Sequence, residues 1–133
     1  MTIIRKKGSV IVETSKGILI VAEKDKKFML PGGGANKGES RKQAAIRELY
    51  EETGLKAESI QFWFKYIGSK WKTFSGHDIR NDVKVFIVKT SGTARPRHEI
   101  RYIEYWTPKS KVYIKTGAKM VIEKYLKEKG FKV

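Results

Sequence analysis

At 133 residues, the chain is long enough for one ordinary domain and too short for two. Cysteine is absent, which excludes disulfides, thiolate metal sites and cysteine nucleophiles. Lysine and arginine number 29 against 14 acidic residues, and the net charge of +15 favours polyanionic partners such as nucleotides or nucleic acid. A lysine-rich surface adapted to growth at high temperature would give the same balance, and the two explanations are compatible.

The sequence lacks the features of a membrane or secreted protein. No apolar run approaches the length needed to cross a bilayer, and the N-terminal residues lack the apolar segment and cleavage site of a signal peptide. No repeat, low-complexity tract or linker divides the chain. We therefore expect one domain over residues 1–133 that is cytoplasmic and makes no membrane contact.

The first half of the chain predicts a hairpin followed by a helix. Two β-branched runs surround a Ser-Lys-Gly turn in residues 10–23, which is typical of a β-hairpin. A brief apolar stretch at residues 28–30 is stopped by a proline and three glycines. A helix is predicted from Ser40 to about Thr53, because Ser40 and Gln43 can form a capping box and Gly54 supplies a C-terminal stop.

The second half predicts strands and a closing helix. Residues 60–68, 82–89 and 100–107 favour strands, and the polar segment 69–81 favours a loop between the first two. Apolar residues recur at helical spacing in residues 115–129, which indicates an amphipathic helix. This order predicts an α/β protein with a mixed sheet and helices covering its faces.

The predicted first helix carries three glutamates, Glu48, Glu51 and Glu52, within little more than one turn. Like charges at helical spacing repel each other, so the cluster costs stability unless a positive group binds it. Three carboxylates on one rigid element form an all-oxygen site that suits Mg²⁺ or Mn²⁺. The alternative is an ordinary solvated helix whose glutamates pair with Arg47 and nearby lysines.

A longer pattern decides between these interpretations. From Gly33 to Leu55 the chain reads G-x5-E-x7-R-E-U-x-E-E-x-G-U, where U is a bulky aliphatic residue, and all nine specified positions match. This pattern resembles the Nudix box. The resemblance implies the Nudix fold, a mixed β-sheet sandwiched between helices. It also implies an enzyme that hydrolyses a pyrophosphate bond in a nucleoside diphosphate linked to another group, X.

The resemblance implies a ligand set for the metal, Mg²⁺ or Mn²⁺. Glu48 and Glu52 would be the principal ligands, Glu51 a further or water-mediated ligand, and the backbone carbonyl of Gly32 an additional one. Glycine at that position lets the main chain approach a metal or phosphate closely. We count Glu51 and Glu52 among the catalytic residues as well.

The resemblance also implies supporting and catalytic roles outside the metal ligands. Arg47 and Glu39 would pair to hold the loop and the helix in register. Family members often use one more carboxylate from a later loop, and the candidates are Glu99 and Glu104. We favour Glu99 because it lies in an irregular segment before a predicted strand, where catalytic residues concentrate.

Two aromatic residues in the polar segment, Trp71 and Phe74, are candidates for contact with the nucleobase. Basic side chains that suit phosphates flank them: Lys70, Lys72 and Arg80. The alternative is that both rings fold back as a small core under a long loop.

The substrate is predicted by elimination. The chain looks most like the MutT-type nucleoside triphosphate pyrophosphohydrolases, because the features of the ADP-ribose and dinucleoside polyphosphate hydrolases are missing. The basic surface also motivates removal of pyrophosphate from RNA 5′ ends. A non-catalytic nucleotide- or RNA-binding Nudix module is a further alternative, although such a module has no need of all three box glutamates. The sequence carries no signal for the oligomeric state.

Overall fold

The computed structural model describes residues 2–130, which form eight strands and two helices. The strands are β1 (Thr2–Ile11), β2 (Glu13–Thr14), β3 (Gly17–Ala22), β4 (Gly32–Gly34), β5 (Lys56–Ile67), β6 (Trp71–Lys72), β7 (Asp78–Ser91) and β8 (Tyr102–Trp106). The helices are α1 (Arg41–Thr53) and α2 (Thr116–Glu128). Within the described range, no helix is long and apolar enough to span a membrane.

The strands form a mixed central sheet and a smaller antiparallel sheet. The central sheet has the order β4-β1-β7-β5, with β6 also paired to β7, and the smaller sheet has the order β2-β3-β8. In the central sheet β1 and β7 are parallel, whereas the other pairs are antiparallel. The parallel register places Thr2 beside Asp78 and Ile11 beside Ile87.

The side chains of β1 and β7 alternate between two hydrophobic cores. Val10 and Phe86 pack with Leu49 of α1 in one core. Ile11 and Val85 belong to the other core, which also contains buried residues of α2. The central sheet is therefore covered by α1 on one face and by α2 on the other. This arrangement confirms the predicted α/β fold, in which a mixed sheet lies between helices.

Helix α1 begins and ends as its local sequence predicts. The Ser40 hydroxyl accepts a hydrogen bond of 3.0 Å from the Gln43 backbone N–H, and the Ser40 N–H donates to Gln43 Oε1 at 2.9 Å. Gly54 has a φ of 78°, and its N–H donates to the Tyr50 carbonyl at 2.8 Å. Both ends are thus fixed by contacts within a few residues, and the packing of Ala45 and Leu49 in the core sets which face of the helix turns towards the sheet.

Two of the predicted elements differ from the structure. The hairpin at residues 10–23 is shorter than expected, because Val10 and Ile11 end the long strand β1 in the central sheet and only β2 and β3 form the hairpin. The polar segment 69–81 is not only a loop, since Trp71 and Lys72 pair with Ile79 and Asp78. Strand β1 is held by pairing with β7, which is distant in sequence, and β6 is too short, at two residues, to show the apolar alternation that marks a strand.

Candidate active site

Three carboxylates converge beside the end of α1. Glu48 and Glu52 lie one helical turn apart, and Glu99 approaches them from the loop before β8. One carboxylate oxygen from each residue lies within 4.8 Å of the other two. The loop is attached to the helix end by backbone hydrogen bonds of 2.9 Å from Arg95 to Thr53 and 3.1 Å from Arg97 to Glu52. The fold therefore brings Glu99 to the box glutamates.

Glu52 occupies the most restricted position in this cluster. Its side chain is buried, and Oε1 accepts a hydrogen bond of 3.0 Å from the Gly32 N–H. Burial raises the pKa of Glu52 to about 8; the Gly32 hydrogen bond opposes this shift, and the charges of Glu48 and Glu99 add to it. A bound cation would remove both the repulsion and the burial penalty. Three carboxylates that repel one another and offer only oxygen ligands form a site that suits a hard divalent cation.

The glycines of β4 leave room for these carboxylates. A Cβ atom on Gly33 would lie 2.7 Å from Glu48 Cδ, so a side chain there would displace the glutamate. Gly32 has a φ of 142°, and its Cβ would collide with the Gly8 carbonyl oxygen of β1. The glycine run before α1 is thus a packing requirement of the cluster.

Arg47 braces the site from the opposite side. Its guanidinium contacts Glu39 through two hydrogen bonds, 2.8 Å to Oε2 and 2.9 Å to Oε1, and donates to the Gly34 carbonyl at 3.1 Å. The same side chain lies 2.7 Å from Glu48 Oε1 and 3.1 Å from Glu51 Oε2. The hydrogen bonds from Arg47 hold the pKa of Glu39 at about 2. These contacts tie the loop before α1 to the helix, as the resemblance implied.

Two other predicted acidic residues lie apart from the cluster. Glu51 faces Arg47, its side chain is 41% exposed, and it does not belong to the converging group among residues 2–130. Glu104 lies on β8 opposite Ile20, in the smaller sheet. Of the two late carboxylates, the structure therefore places Glu99 at the site. The role of Glu51 as a ligand stays a prediction, as does that of the Gly32 carbonyl.

A cleft of about 270 Å³ opens next to the glutamates on the α2 face of the central sheet. Gly32 and Gly33 line it on the side of the cluster, and Lys7, Tyr66 and Lys115 contribute side chains from three different elements. Burial lowers the pKa of the Lys7 ammonium, and the charges of Arg5 and Lys115 lower it further. No local sequence pattern predicts this cleft, because its residues are scattered along the chain.

The aromatic residues predicted for base contact lie further out. Trp71 is 40% exposed on β6, and Phe74 is fully exposed in the turn between β6 and β7. Neither ring is folded back into a core. Of the flanking basic residues, the ammonium of Lys72 lies 3.9 Å from Asp78 Oδ1, and Arg80 donates to the Gly68 carbonyl at 3.0 Å.

The strand register separates this hairpin from the cleft. Trp71 pairs with Ile79, whereas Asn81, two residues further along β7, is the first residue of that strand to line the cleft. At a rise of about 3.3 Å per residue, the distance along the strand is about 7 Å. Lys70 and Lys72 flank Trp71 in sequence. Because side chains alternate along a strand, Lys72 and Arg80 point to the face of the sheet opposite to that of Trp71 and Ile79. Their contact with substrate stays a prediction.

Comparison with known proteins gives the same family as the box. The family model of the NUDIX domain matches residues 5–127. An RNA pyrophosphohydrolase from Teredinibacter turnerae is 32% identical over 105 residues, which cover 64% of this chain and 60% of that protein. The match is thus confined to less than two thirds of that relative's length.

Solved structures are similar over almost the whole chain. A nudix hydrolase family member from Chromobacterium violaceum has a TM-score of 0.79 and 28% identity, and the match covers 98% of this chain and 82% of that one. A MutT NUDIX hydrolase from Burkholderia pseudomallei has a TM-score of 0.70 at 18% identity, covering 91% and 97%, which is a likeness of fold. With the complete box and the family match, these findings show that the chain belongs to the Nudix family.

Proposed function

We propose that this chain is a metal-dependent pyrophosphohydrolase that cleaves the pyrophosphate bond of a 5′-triphosphate. The observation that carries the proposal is the position of the carboxylate cluster of Glu48, Glu52 and Glu99 directly beside a cleft that contains Lys7 and Lys115. In a nucleotide polyphosphate with a divalent cation, the cation complements the carboxylate cluster and the phosphates complement the lysines of the cleft. The products would be a 5′-monophosphate and pyrophosphate.

Glu48 and Glu52 would hold the metal, which we take to be Mg²⁺ or Mn²⁺ because their ligand atoms are oxygens, and Glu99 would lie beside it. When bound, such a metal neutralises phosphate charge and lowers the pKa of a water molecule. Arg47 keeps Glu48 oriented through its 2.7 Å contact, and the Gly32 N–H does the same for Glu52. The protein thus fixes the ligands before substrate binds.

The remaining residues would position phosphate and water. Lys7 and Lys115 lie where they can contact the phosphate oxygens and draw negative charge into the cleft. Glu99 is exposed in its loop and can accept a proton from the attacking water. The water oxygen forms a bond to one phosphorus, the bridging P–O bond breaks, and the neighbouring phosphate group leaves with the electron pair.

Two substrates with the same reacting group remain candidates. A free nucleoside triphosphate is the substrate of MutT-type enzymes, and the fold of this chain is similar to that of a MutT NUDIX hydrolase. The 5′-triphosphate end of RNA is supported by the net charge of +15 and by the curated relative from Teredinibacter turnerae, an RNA pyrophosphohydrolase. Fewer observations support ADP-ribose or a dinucleoside polyphosphate as the substrate. We also infer a cytoplasmic location, where all of these substrates are found.

A substrate panel tests the proposal. The protein is incubated with Mg²⁺ and, separately, with nucleoside triphosphates, 5′-triphosphorylated RNA, ADP-ribose and a dinucleoside tetraphosphate, and the phosphate products are measured. We expect pyrophosphate release from a 5′-triphosphate, and loss of that release on removal of the metal with a chelator. Absence of turnover on every substrate would favour the non-catalytic binding module.

A further inference from the structure

The loop between β7 and β8, which carries Glu99, is anchored to the C-terminal end of α1 by the side chain of Arg97. Arg97 Nη1 donates to the Tyr50 carbonyl at 3.1 Å, and the guanidinium carbon lies 4.9 Å from the centroid of the Tyr50 ring. The same side chain runs past Gly54, where an added Cβ atom would lie 3.5 Å from Arg97 Cδ. Arg97 is therefore held by a hydrogen bond, a cation–π contact and packing against the glycine that ends the helix.

The charge of Arg97 suits this position. The C-terminal end of a helix carries a partial negative charge, which favours a nearby cation. The last turn of α1, residues 50–53, contains two glutamates and no basic side chain. Arg97 supplies that cation from a distant part of the chain, and its backbone N–H donates to the Glu52 carbonyl at 3.1 Å. The anchor is thus attached to a residue whose side chain belongs to the carboxylate cluster.

Glu99 lies in a β-turn that begins at this anchor. The turn spans residues 97–100 and is closed by a hydrogen bond of 3.0 Å from the Ile100 N–H to the Arg97 carbonyl. His98, the first central residue of the turn, has a φ of 54°, a conformation that glycine adopts readily and other residues adopt rarely. Such a backbone persists only where the surrounding contacts determine it. Here Arg97 fixes the chain before the turn, and the buried side chain of Ile100 fixes it afterwards.

We propose that Arg97 is a positioning residue, which together with the left-handed backbone of His98 holds the Glu99 carboxylate beside Glu48 and Glu52. This inference rests on the proposed function, in which Glu99 accepts a proton from the attacking water. Glu99 is exposed and carries the same charge as its two neighbours, so repulsion would move an unanchored loop away from the cluster. The contacts of Arg97 oppose that movement.

The contacts of Arg97 distinguish it from a ligand of the substrate. Its guanidinium faces Tyr50, and among residues 2–130 the lining of the cleft includes Lys7 and Lys115 but not Arg97. A residue that acts through Glu99 changes the rate of the chemical step, whereas a residue that binds phosphate changes KM. The two roles therefore predict different kinetics.

Steady-state kinetics on a 5′-triphosphate substrate provide the first test. Arg97→Gln should lower kcat about tenfold and change KM by less than about twofold. Arg97→Lys should recover part of the loss, because an ammonium group can still contact the Tyr50 carbonyl and ring. Arg95→Gln is the matched control, since it removes the same charge from an exposed position two residues earlier, and it should alter neither constant. A rise in KM with unchanged kcat in Arg97→Gln would overturn the inference.

A double-mutant cycle shows whether Arg97 acts through Glu99. If it does, Arg97→Gln should lower kcat by less than about twofold when Glu99 is already replaced by Glu99→Gln. Losses that multiply in the double variant would contradict the inference, because Arg97 would then act independently of Glu99.

Two substitutions of His98 separate the backbone conformation from the chemistry of the imidazole. The kcat of His98→Gly should exceed that of His98→Val about fivefold, because glycine adopts a positive φ freely and a β-branched residue does not. An equal loss in both variants would show that the imidazole matters and the backbone does not. Melting temperatures establish that each variant is folded, and His98→Ala replaces His98→Val if the latter is not.

Hydrogen exchange separates this inference from the proposed function, because it requires neither metal nor turnover. The Ile100 amide is bonded to the Arg97 carbonyl, and NMR measures its exchange rate individually. Arg97→Gln should raise that rate about tenfold, whereas Arg95→Gln should leave it unchanged. If no substrate is hydrolysed, the proposed function fails, but faster exchange in Arg97→Gln still supports Arg97 as the anchor of the turn that carries Glu99. An unchanged rate at Ile100 in Arg97→Gln would contradict the inference.

Discussion

The carboxylate cluster and the cationic cleft meet at β4, yet they are held in different ways. Glu48 and Glu52 are fixed by a helix, by Arg47 and by a backbone N–H, so their repulsion is resisted on several sides. Lys7 and Lys115 extend from a strand and from the start of a helix, and no ion pair within residues 2–130 restrains either side chain. The acidic side is therefore preorganised, whereas the basic side can adapt to the substrate that it receives.

Removing a fixed carboxylate should have the largest effect. Glu52→Gln or Glu48→Gln should lower turnover on the order of 10²-fold or more, because each removes a metal ligand. Both proteins should remain folded, since neither change creates a core cavity. Turnover at saturating Mg²⁺ is the measurement. A Glu48→Gln/Glu52→Gln double variant that stays active without a divalent metal would disprove the site.

The exposed member of the cluster should affect rate more than metal affinity. Glu99→Gln should reduce kcat by roughly tenfold to 10²-fold if Glu99 orients or deprotonates the attacking water. Glu104→Gln, the matched control in the smaller sheet, should leave kcat unchanged. The Mg²⁺ dependence of the rate distinguishes the two effects. If only Glu104→Gln loses activity, Glu99 is the wrong residue.

The adaptable side should respond with a smaller change in substrate binding. Lys7→Gln should raise KM about tenfold, or about 1.4 kcal/mol, with a modest change in kcat, because a flexible cation contributes to binding more than to the chemical step. Steady-state kinetics on a 5′-triphosphate substrate provide the measurement. A loss in kcat as large as that of Glu52→Gln would show that the basic side is as rigidly organised as the acidic side.

The smallest expected effect concerns stability in the absence of metal. Burial raises the pKa of Glu52 from its usual value of 4.5 to about 8 in the folded protein. At a pH between these two values, the folded state therefore keeps a proton on Glu52 that the unfolded state has released. The melting temperature should therefore fall by a few degrees as the pH rises from 5 to 8, and Mg²⁺ should oppose the fall. Glu52→Gln should remove this component. A variant with the same pH slope as the wild type would exclude Glu52 as its source.

Local signals explain which parts of the molecule were predictable. The capping box and Gly54 fix α1 through contacts within four residues, so the helix and the relation of Glu48 to Glu52 follow from sequence. Glu99 could be preferred to Glu104 because an irregular segment differs visibly from a strand. These features depend on residues that are close together in sequence, so a short stretch of the chain is enough to predict them.

The cleft and the outer strands depend on contacts that short stretches do not encode. Lys7, Asn81 and Lys115 come together only through the pairing of β1 with β7 and the packing of α2. The first half of β1 is exposed, and its apolar residues Ile3 and Ile4 are adjacent, so it lacks the apolar alternation of a strand. Trp71 stands out in the sequence as an aromatic residue in a polar segment, but its strand is only two residues long and has no detectable sequence pattern.

The parallel pairing of β1 with β7 has a consequence for folding. It joins residues separated by more than half of the chain, Thr2 with Asp78 among them. Contacts of such high sequence separation form slowly, because a large loop must close first. During synthesis β1 therefore emerges long before its partner, and an unpaired strand edge is prone to aggregation. Arg5, Lys6 and Lys7 place three like charges on that edge, and their repulsion would keep nascent chains apart until β7 arrives.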